Sequence, residues 1–360
     1  MKNWSPIILV INPGSTSTKI AVFAGRKCRV DTELKHDAEV LAGFDSINAQ
    51  AGYRKDALLG FLRRHKIDPA DVDVFIGRGG LLRPLSSGVY AIDEAMLDDL
   101  RACRYGEHAS NLGAVLAAEL ARPCNKPAYI ANPVVVDELS DVARITGHPD
   151  VQRRSIFHAL SHKAVASKAA RRLGKPYEKC NLIVAHVGGG ITIGAHQQGR
   201  VVDVNNALDG EGPFSPERTG ALPLLPFYRY CTQRGMSVAE ASRFLTRGGG
   251  LLAHLGTNDC RLIEEKVAAG DRKFTLVYHA FVYQVAKAIG AMAAALSGKV
   301  DAVVLTGGVV RGPLFLRKLR QMVRFIAPVY AIIKNSEMEA LAAAALAAHR
   351  GVQEAKPYKP

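Results

Sequence analysis

The chain has 360 residues, a formal net charge of +14, 48% hydrophobic and 22% charged residues, a length that suggests about two domains and a composition that excludes a disordered chain. Its apolar runs stop short of the roughly 18–20 residues that span a bilayer, and Met1–Trp4 leads into a strand-like segment rather than a signal peptide, so the expected location is cytoplasmic. The basic residues are spread along the chain, which favours an acidic small-molecule substrate over nucleic acid, and six scattered cysteines without a CxxC pair are expected to be reduced structural thiols.

The first predicted element is the stretch IILVINPGSTSTKIAVF from Ile7 to Phe23, two apolar strands around a turn that carries Asn12, Gly14, Ser15, Thr16, Ser17 and Lys19. RKCRVDTELK continues it as a third strand. DVFIGRGGLL predicts a strand and a glycine turn, residues 111–122 a helix, and PAYIANPVVVDEL a strand that delivers Asp137 at its end. TGHPDVQRR marks a domain boundary near residue 150. Ser155 then caps a predicted helix running to Leu173, with Gly174 just past its end and Pro176 beyond. NLIVAHVGGGITIGAHQQGRVVDVNN, from Asn181, repeats the opening plan of strand, glycine turn, strand, turn, strand. Laid over the first copy, Asn12 falls on His186 and Gly14 on Gly188, so the chain reads as two related halves.

NNALDGEGPFSPERTGALP is too rich in glycine and proline to form an element. A helix is predicted from Tyr278 to Ser297, stopped by Gly298, followed by a strand in DAVVLTGGVVRG and an amphipathic stretch, RGPLFLRKLRQMVR. The last element is an alanine-rich helix from Glu337 to His349, which in a duplicated fold returns to cap the first half. These elements predict a mixed α/β protein of two domains, residues 1–150 completed by 336–360, and residues 151–335.

Three turns have the composition of phosphate cradles. Converging backbone N–H groups need glycine, and hydroxyl and cationic side chains supply further donors. The opening hairpin offers Gly14, Ser15, Thr16, Ser17 and Lys19, the second hairpin Gly188, Gly189 and Gly190, and LTGGV offers Gly307 and Gly308 after a buried strand. Rival motifs fail: GGGITIG leads into a strand where a dinucleotide fingerprint leads into a helix, and SGKV lacks the upstream glycine and following Ser or Thr of a P-loop. The pattern predicts two domains gripping one nucleotide.

NPGSTSTKIAVF, GRGGLL, FHALSHKAVA, AHVGGGITIGAH, NNALDGEGPFSPERTGALP and LGTND, in this order, with VVLTGGVV and SEMEALAAAAL after them, resemble the acetate and butyrate kinase family. The resemblance implies the fold of acetate and sugar kinases, Hsp70 and actin: duplicated ribonuclease H-like βββαβαβα domains that close on ATP or ADP and Mg²⁺. It also implies reversible, direct in-line phosphorylation of a short-chain carboxylate, butyrate first, to the acyl phosphate, by a homodimer or higher homo-oligomer; charge spread and apolar run length add the expectation of no nucleic-acid or membrane partner. Acetate, propionate or a branched-chain acid as substrate, and a non-catalytic ATP-binding switch of the same fold, are the alternatives.

The resemblance also implies roles for particular residues. Asn12, Gly14, Ser15, Ser17 and Lys19 match the family's turn facing the nucleotide phosphates and metal. Arg218, in SPERTG, matches the arginine near the carboxylate and the transferred phosphoryl, and His158 and His186 match histidines that contact that phosphoryl. Asp137 matches the family's acidic residue at its strand end, and Glu337, with Asn12, the magnesium ligands. Gly188, Gly189, Gly190, Gly307 and Gly308 match the phosphate and adenosine loops. Two departures from the acetate kinase pattern stand out: Arg78 in GRGG replaces a histidine, as in butyrate kinases, and DVDVF holds no counterpart of the upstream substrate arginine. Arg78 and Arg83 both remain candidates for the substrate, and Glu337 and Glu339 for the metal.

A carboxylate nucleophile is ionised at neutral pH and needs no general base, so the chemistry calls for cations and in-line positioning. Arg218, Arg78, His158, His186 and the metal are the expected cations. His158 is expected in the first turn of its helix, where the dipole favours an anion. His162 lies four residues on, but HALSH lacks the glutamate of a zinc-binding H-E-x-x-H, so it is read as packing. Each candidate also has a plain structural reading: Asp137 as a cap, Lys19 as a solvent-facing strand residue, Arg218 as a solvated loop arginine.

Overall fold

Ile8, Leu9, Val10 and Ile11 are all fully buried, as a strand covered on both faces requires, and they form β1 (Ile7–Pro13). β1 pairs antiparallel with β2 (Ser17–Ala24), which pairs with β3 (Lys27–Lys35), an edge strand with no fully buried residue. β4 (Val74–Gly77) runs parallel to β1, and β5 (Val89–Ala91) and β6 (Ala128–Ala131) extend the sheet. This computed structural model describes residues 5–334 and 336–359; Met1–Trp4, on which the signal-peptide expectation falls, lie outside the described residues, as do Asn335 and Pro360.

The second copy repeats the plan. β7 (Asn181–Val187), β8 (Ile191–Gln197) and β9 (Arg200–Val204) form a meander, and β10 (Ala302–Thr306) and β11 (Val329–Ala331) add in parallel on the other side of β7. β12 (Ala355–Lys356) pairs with β5, giving a seven-stranded sheet in the order β12-β5-β6-β4-β1-β2-β3 and a five-stranded sheet in the order β11-β10-β7-β8-β9. Asn12 and His186 are each the next-to-last residue of the strand that enters the hairpin turn.

The chain divides into two compact units, the residues up to Val136 together with those from Ser336, and Asp137–Asn335. Residues 137–150, expected with the first domain, belong to the second unit. In the first unit, Leu9, Ile11, Ile20, Val22 and Phe75 pack against Leu58, Phe61 and Leu62 of the helix Ala51–Arg64 and Leu112 and Leu116 of the helix Asn111–Ala121. In the second, Ile183, Ala185 and Ile193 pack against Phe281, Val285 and Ile289 of the helix Arg272–Ala295. The opposite face of that sheet carries Val165, Ala166 and Ala169 of the helix Ala159–Arg172 over Leu182, Val184 and Val304.

Several expected boundaries move. β6 ends at Ala131, because Asn132 takes a left-handed φ of 40° and Pro133 offers no donor, so PVVV is not strand and Asp137 sits in a loop. The helix expected from Ser155 begins at Ala159, and His158 is its N-cap residue with ψ of 58°, not a member of its first turn. The helix after Tyr278 starts earlier, at Arg272, where Asp271 caps it. Four helices, Leu224–Gln233, Val238–Arg247, Gly250–Leu255 and Cys260–Ala268, fill a stretch for which no element was predicted.

Candidate active site

In the first unit, β1 and the final helix bring Asn12 and Glu337 together. The Asn12 amide donates to Glu337 Oε2 at 2.9 Å, and Arg78 Nη1 donates to the same oxygen at 2.6 Å. Arg78 is placed there by glycine. A Cβ on Gly77 would lie 2.0 Å from the Gly113 carbonyl oxygen, and one on Gly113 would lie 2.2 Å from that of Arg78. Only a glycine pair lets the helix Asn111–Ala121 cross the end of β4 this closely. The GRGG glycines thus serve packing: a Cβ on Gly80 would lie 2.3 Å from Asn111 Oδ1.

Glu339 is exposed on the same helix with its N–H capped by Ser336, and is not in this cluster. Arg83 points elsewhere too, stacking 4.0 Å over the Tyr358 ring and pairing with Asp99. For magnesium, Glu337 and Asn12 offer carboxylate and amide oxygens, the hard donors that ion takes, with phosphate and water completing its shell. The residues fit such a sparse protein contribution; among the described residues no three His, Cys, Asp or Glu side chains form a closed metal cage.

The turn between β1 and β2 is built from beneath by Arg54, which the sequence reading missed. This fully buried guanidinium donates to the carbonyl oxygens of Gly14 (2.9 Å), Ser15 (3.0 Å) and Ser17 (3.2 Å), to the Thr18 hydroxyl and to Gln50. With its carbonyls drawn inward, the turn presents Ser15 and Thr16 to solvent. All of these partners of Arg54 are neutral, and burial pulls its pKa down. The signal in the sequence was its position on the apolar face of its helix, four residues before Leu58. Ser17 Oγ donates to Glu33 at 2.6 Å, and Lys19 is exposed opposite Glu33 in the β2–β3 register. The Ser17 hydroxyl, and then Lys19, hold the Glu33 carboxyl below its usual range.

In the second unit, the turn after β7 gathers five predicted positions, His158, His186, Gly188, Gly190 and Arg218. The His158 and His186 rings stack at 4.0 Å with 6° between their planes. His158 Nδ1 lies 2.9 Å from Thr192 Oγ1, and His186 Nδ1 lies 3.0 Å from Ser161 Oγ. Gly188 lies against His186, and Arg218 lies across Gly190 so closely that a Cβ there would meet Nη1 at 2.5 Å. Ser215 ties the two segments, donating to the Gly189 carbonyl oxygen at 2.6 Å and accepting from the Arg218 N–H at 3.0 Å. The Arg218 guanidinium donates to the Ala207 carbonyl oxygen at 2.8 Å, and no ion pair to it occurs among the described residues. Burial lowers its pKa, Glu217 counteracting and Arg247 adding to that shift.

Gly307 has φ of +100° and presses on β7, where a Cβ would lie 2.2 Å from the Val187 carbonyl oxygen, whereas Gly308 is open. Asp137 is not gathered with these residues: both its oxygens bind Arg144, at 2.7 Å each, and it also accepts from the Leu139 N–H. Among the described residues Asp137 caps no helix, the N-cap of Asp141–Arg144 being Ser140, and it is engaged in a local ion pair with Arg144.

Residues 148–326 match the model of the acetokinase family. A probable butyrate kinase of Listeria monocytogenes is 46% identical over 98% of this chain and 99% of its own. Butyrate kinase 1 of Clostridium acetobutylicum is 45% identical, with the same coverage of both chains. The chain belongs to the acetokinase family. The crystal structure of Porphyromonas gingivalis acetate kinase matches at a TM-score of 0.78 and 21% identity, covering 95% of this chain and 99% of its own. A propionate kinase from Francisella tularensis matches at 0.73 and 20%, covering 94% and 98%. The chain therefore has the actin-like ATPase fold, with the duplication visible in its two sheets. No helix among its described residues is long and apolar enough to cross a membrane.

Proposed function

We propose that the chain transfers the γ-phosphoryl group of ATP, reversibly, to the carboxylate of a short-chain fatty acid, with butyrate preferred over acetate, propionate and branched-chain acids. A carboxylate oxygen attacks the γ-phosphorus, the bond to the bridging oxygen breaks, and ADP leaves with that oxygen's charge. The observation that carries the reading is Arg218: a guanidinium with no ion pair among the described residues, laid on the glycine turn that also bears the stacked His158 and His186. An arginine arranged this way is matched to an anion absent from the chain itself. The near full-length identity to proteins named butyrate kinase supports the choice of acid.

Arg218 and the two histidines stabilise the charge that spreads over the equatorial phosphoryl oxygens. Within the second unit, the glycines at 188–190 and 307–308 take the nucleotide phosphates and adenosine; within the first, the turn above Arg54 is a phosphate-binding turn. Magnesium, when bound, neutralises phosphate charge, with Glu337 and Asn12 as its protein ligands and Arg78 holding the carboxylate in place. A homodimer is part of the same reading. Helices Leu224–Gln233 and Val238–Arg247 bury none of their residues, leaving Leu224 (85% exposed) and Val238 (88%) on an apolar surface suited to a second copy. Sedimentation of the wild-type chain at twice the monomer mass, and of Leu224→Glu as a monomer, is expected; a wild-type monomer contradicts it.

The test of the function is kcat/KM for acetate, propionate, butyrate, isobutyrate and valerate with ATP and Mg²⁺, acyl phosphate being trapped with hydroxylamine. Butyrate is expected to lead, with each methylene removed costing a factor of about four or more, since one buried methylene is worth about 0.8 kcal/mol. Absence of hydroxamate with all five acids contradicts the reading.

A further inference from the structure

Behind His158 runs a chain of hydrogen bonds, buried at its centre, that the phosphoryl-transfer reading leaves unexplained. His158 Nδ1 meets Thr192 Oγ1 at 2.9 Å, and Thr192 Oγ1 meets His162 Nε2 at 2.9 Å. His162 Nδ1 meets His196 Nε2 at 3.2 Å, and His196 Nδ1 meets the Tyr177 hydroxyl at 2.7 Å. Thr192, His162 and His196 are all completely buried. Burial keeps both histidines neutral, with the positive charge of Lys163 acting in the same sense on each, and burial keeps the Tyr177 phenol protonated.

Proton counting makes this chain directional. A neutral imidazole has one N–H and one lone pair, so a ring that accepts at one end donates at the other, and a hydroxyl has one proton to give. Thr192 sits between two rings, with no third side-chain partner among the described residues. Accepting from both rings would leave its own proton, fully buried, without an acceptor at a cost of about 1–3 kcal/mol, so it donates to one ring while accepting from the other. The end at Tyr177 decides which. His196 is the one hydrogen-bond partner of the phenol among the described residues. If the chain ran toward Tyr177, the phenolic proton would have no acceptor among the described residues and the bond in which the phenol donates would be lost, at a cost of about 0.5–1.5 kcal/mol. Run the other way, every proton is used: Tyr177 donates to His196, His196 to His162, His162 to Thr192, and Thr192 to His158 Nδ1.

We infer that Tyr177, acting through His196, His162 and Thr192, is a positioning residue that fixes His158 as its neutral Nε2–H tautomer. With Nδ1 occupied as an acceptor, His158 carries its one proton on the nitrogen across the ring, as a donor. The use of that donor on a phosphoryl oxygen rests on the function proposed above; the tautomer does not.

The test is ¹⁵N NMR of the full chain labelled at histidine, with the His158 signals identified by their loss in His158→Gln, together with kinetics. In the wild type, His158 Nδ1 is expected to be unprotonated and Nε2 protonated. Tyr177→Phe removes the terminal donor and keeps the ring, so His158 is expected to become a mixture of tautomers. Turnover should then fall about tenfold, as for loss of an outer-shell orienting group, with KM for ATP and for the carboxylate within about twofold. Thr192→Val cuts the same chain at its near end and gives the same readout if Tyr177→Phe fails to fold. A wild-type His158 protonated on Nδ1, or ring shifts unchanged in both variants, overturns the inference. A changed tautomer with unchanged turnover upholds the chain and overturns the place of His158 in phosphoryl transfer.

Discussion

Two arginines do opposite work with the same chemistry. Arg54 is spent entirely on the chain's own carbonyl oxygens and side chains, and Arg218 makes one bond to Ala207 and leaves the rest of its fork over Gly190. The consequences of removing them should separate. Arg54→Met is expected to lower stability by about 1–3 kcal/mol, the cost of leaving buried carbonyl oxygens without their donor, read as a shift in the urea midpoint; an unchanged midpoint contradicts its structural role. Arg78→Ala should raise KM for magnesium-ATP severalfold, because Glu337 and Asn12 lose the group that orients them; an unchanged KM contradicts that role. At this scale the side chains that the fold brings together were legible where they belong to short motifs, as with Asn12, His158, His186 and Arg218. It was not where the partner is remote: Arg54 reads as one more charge in a helix until Gly14 and Ser15 are folded over it, and Asp137 gives no sign of Arg144.

The two hairpins are the elements that carry the site, and both were readable because alternation, glycine and hydroxyl residues are local signals. Element ends were less so. The start of the helix Ala159–Arg172 is set by His158 engaging Thr192 on a strand, a contact that overrides the capping signal of Ser155. The helices from Leu224 to Ala268 hide because they bury few apolar residues, so their periodicity has no core to answer to. Close approach is the other element-scale device. Gly113→Ala places a methyl group 2.2 Å from the Arg78 carbonyl oxygen, so the helix must move off β4. It is expected to cost about 2–4 kcal/mol and to lower turnover with it; a thermal midpoint within about 2 °C of wild type contradicts that packing account.

For the whole molecule, the duplication is legible in the sequence and repeats in the sheets as β3-β2-β1-β4 and β9-β8-β7-β10. Buried neutral histidines occur in both copies. Burial, and then Arg54, lower His36 to about 4, and burial lowers His162 and His196 well below 6.5. The unfolded chain therefore binds more protons than the native one below about pH 6.5, so stability is held at neutral pH and lost as the pH falls toward 4, each histidine contributing up to about 1.4 kcal/mol per pH unit. A urea midpoint that drops between pH 7 and pH 5 is expected, and an unchanged one contradicts it. The central claim is that this chain makes an acyl phosphate by placing Arg218 on the transferring group. Its most direct test is hydroxamate formation from butyrate, ATP and Mg²⁺ by the wild type and by Arg218→Ala at matched stability. Robust product from the wild type and a loss of roughly 10²-fold or more in the variant, as for removal of a transition-state charge donor, is the predicted result; equal turnover by the two proteins contradicts it.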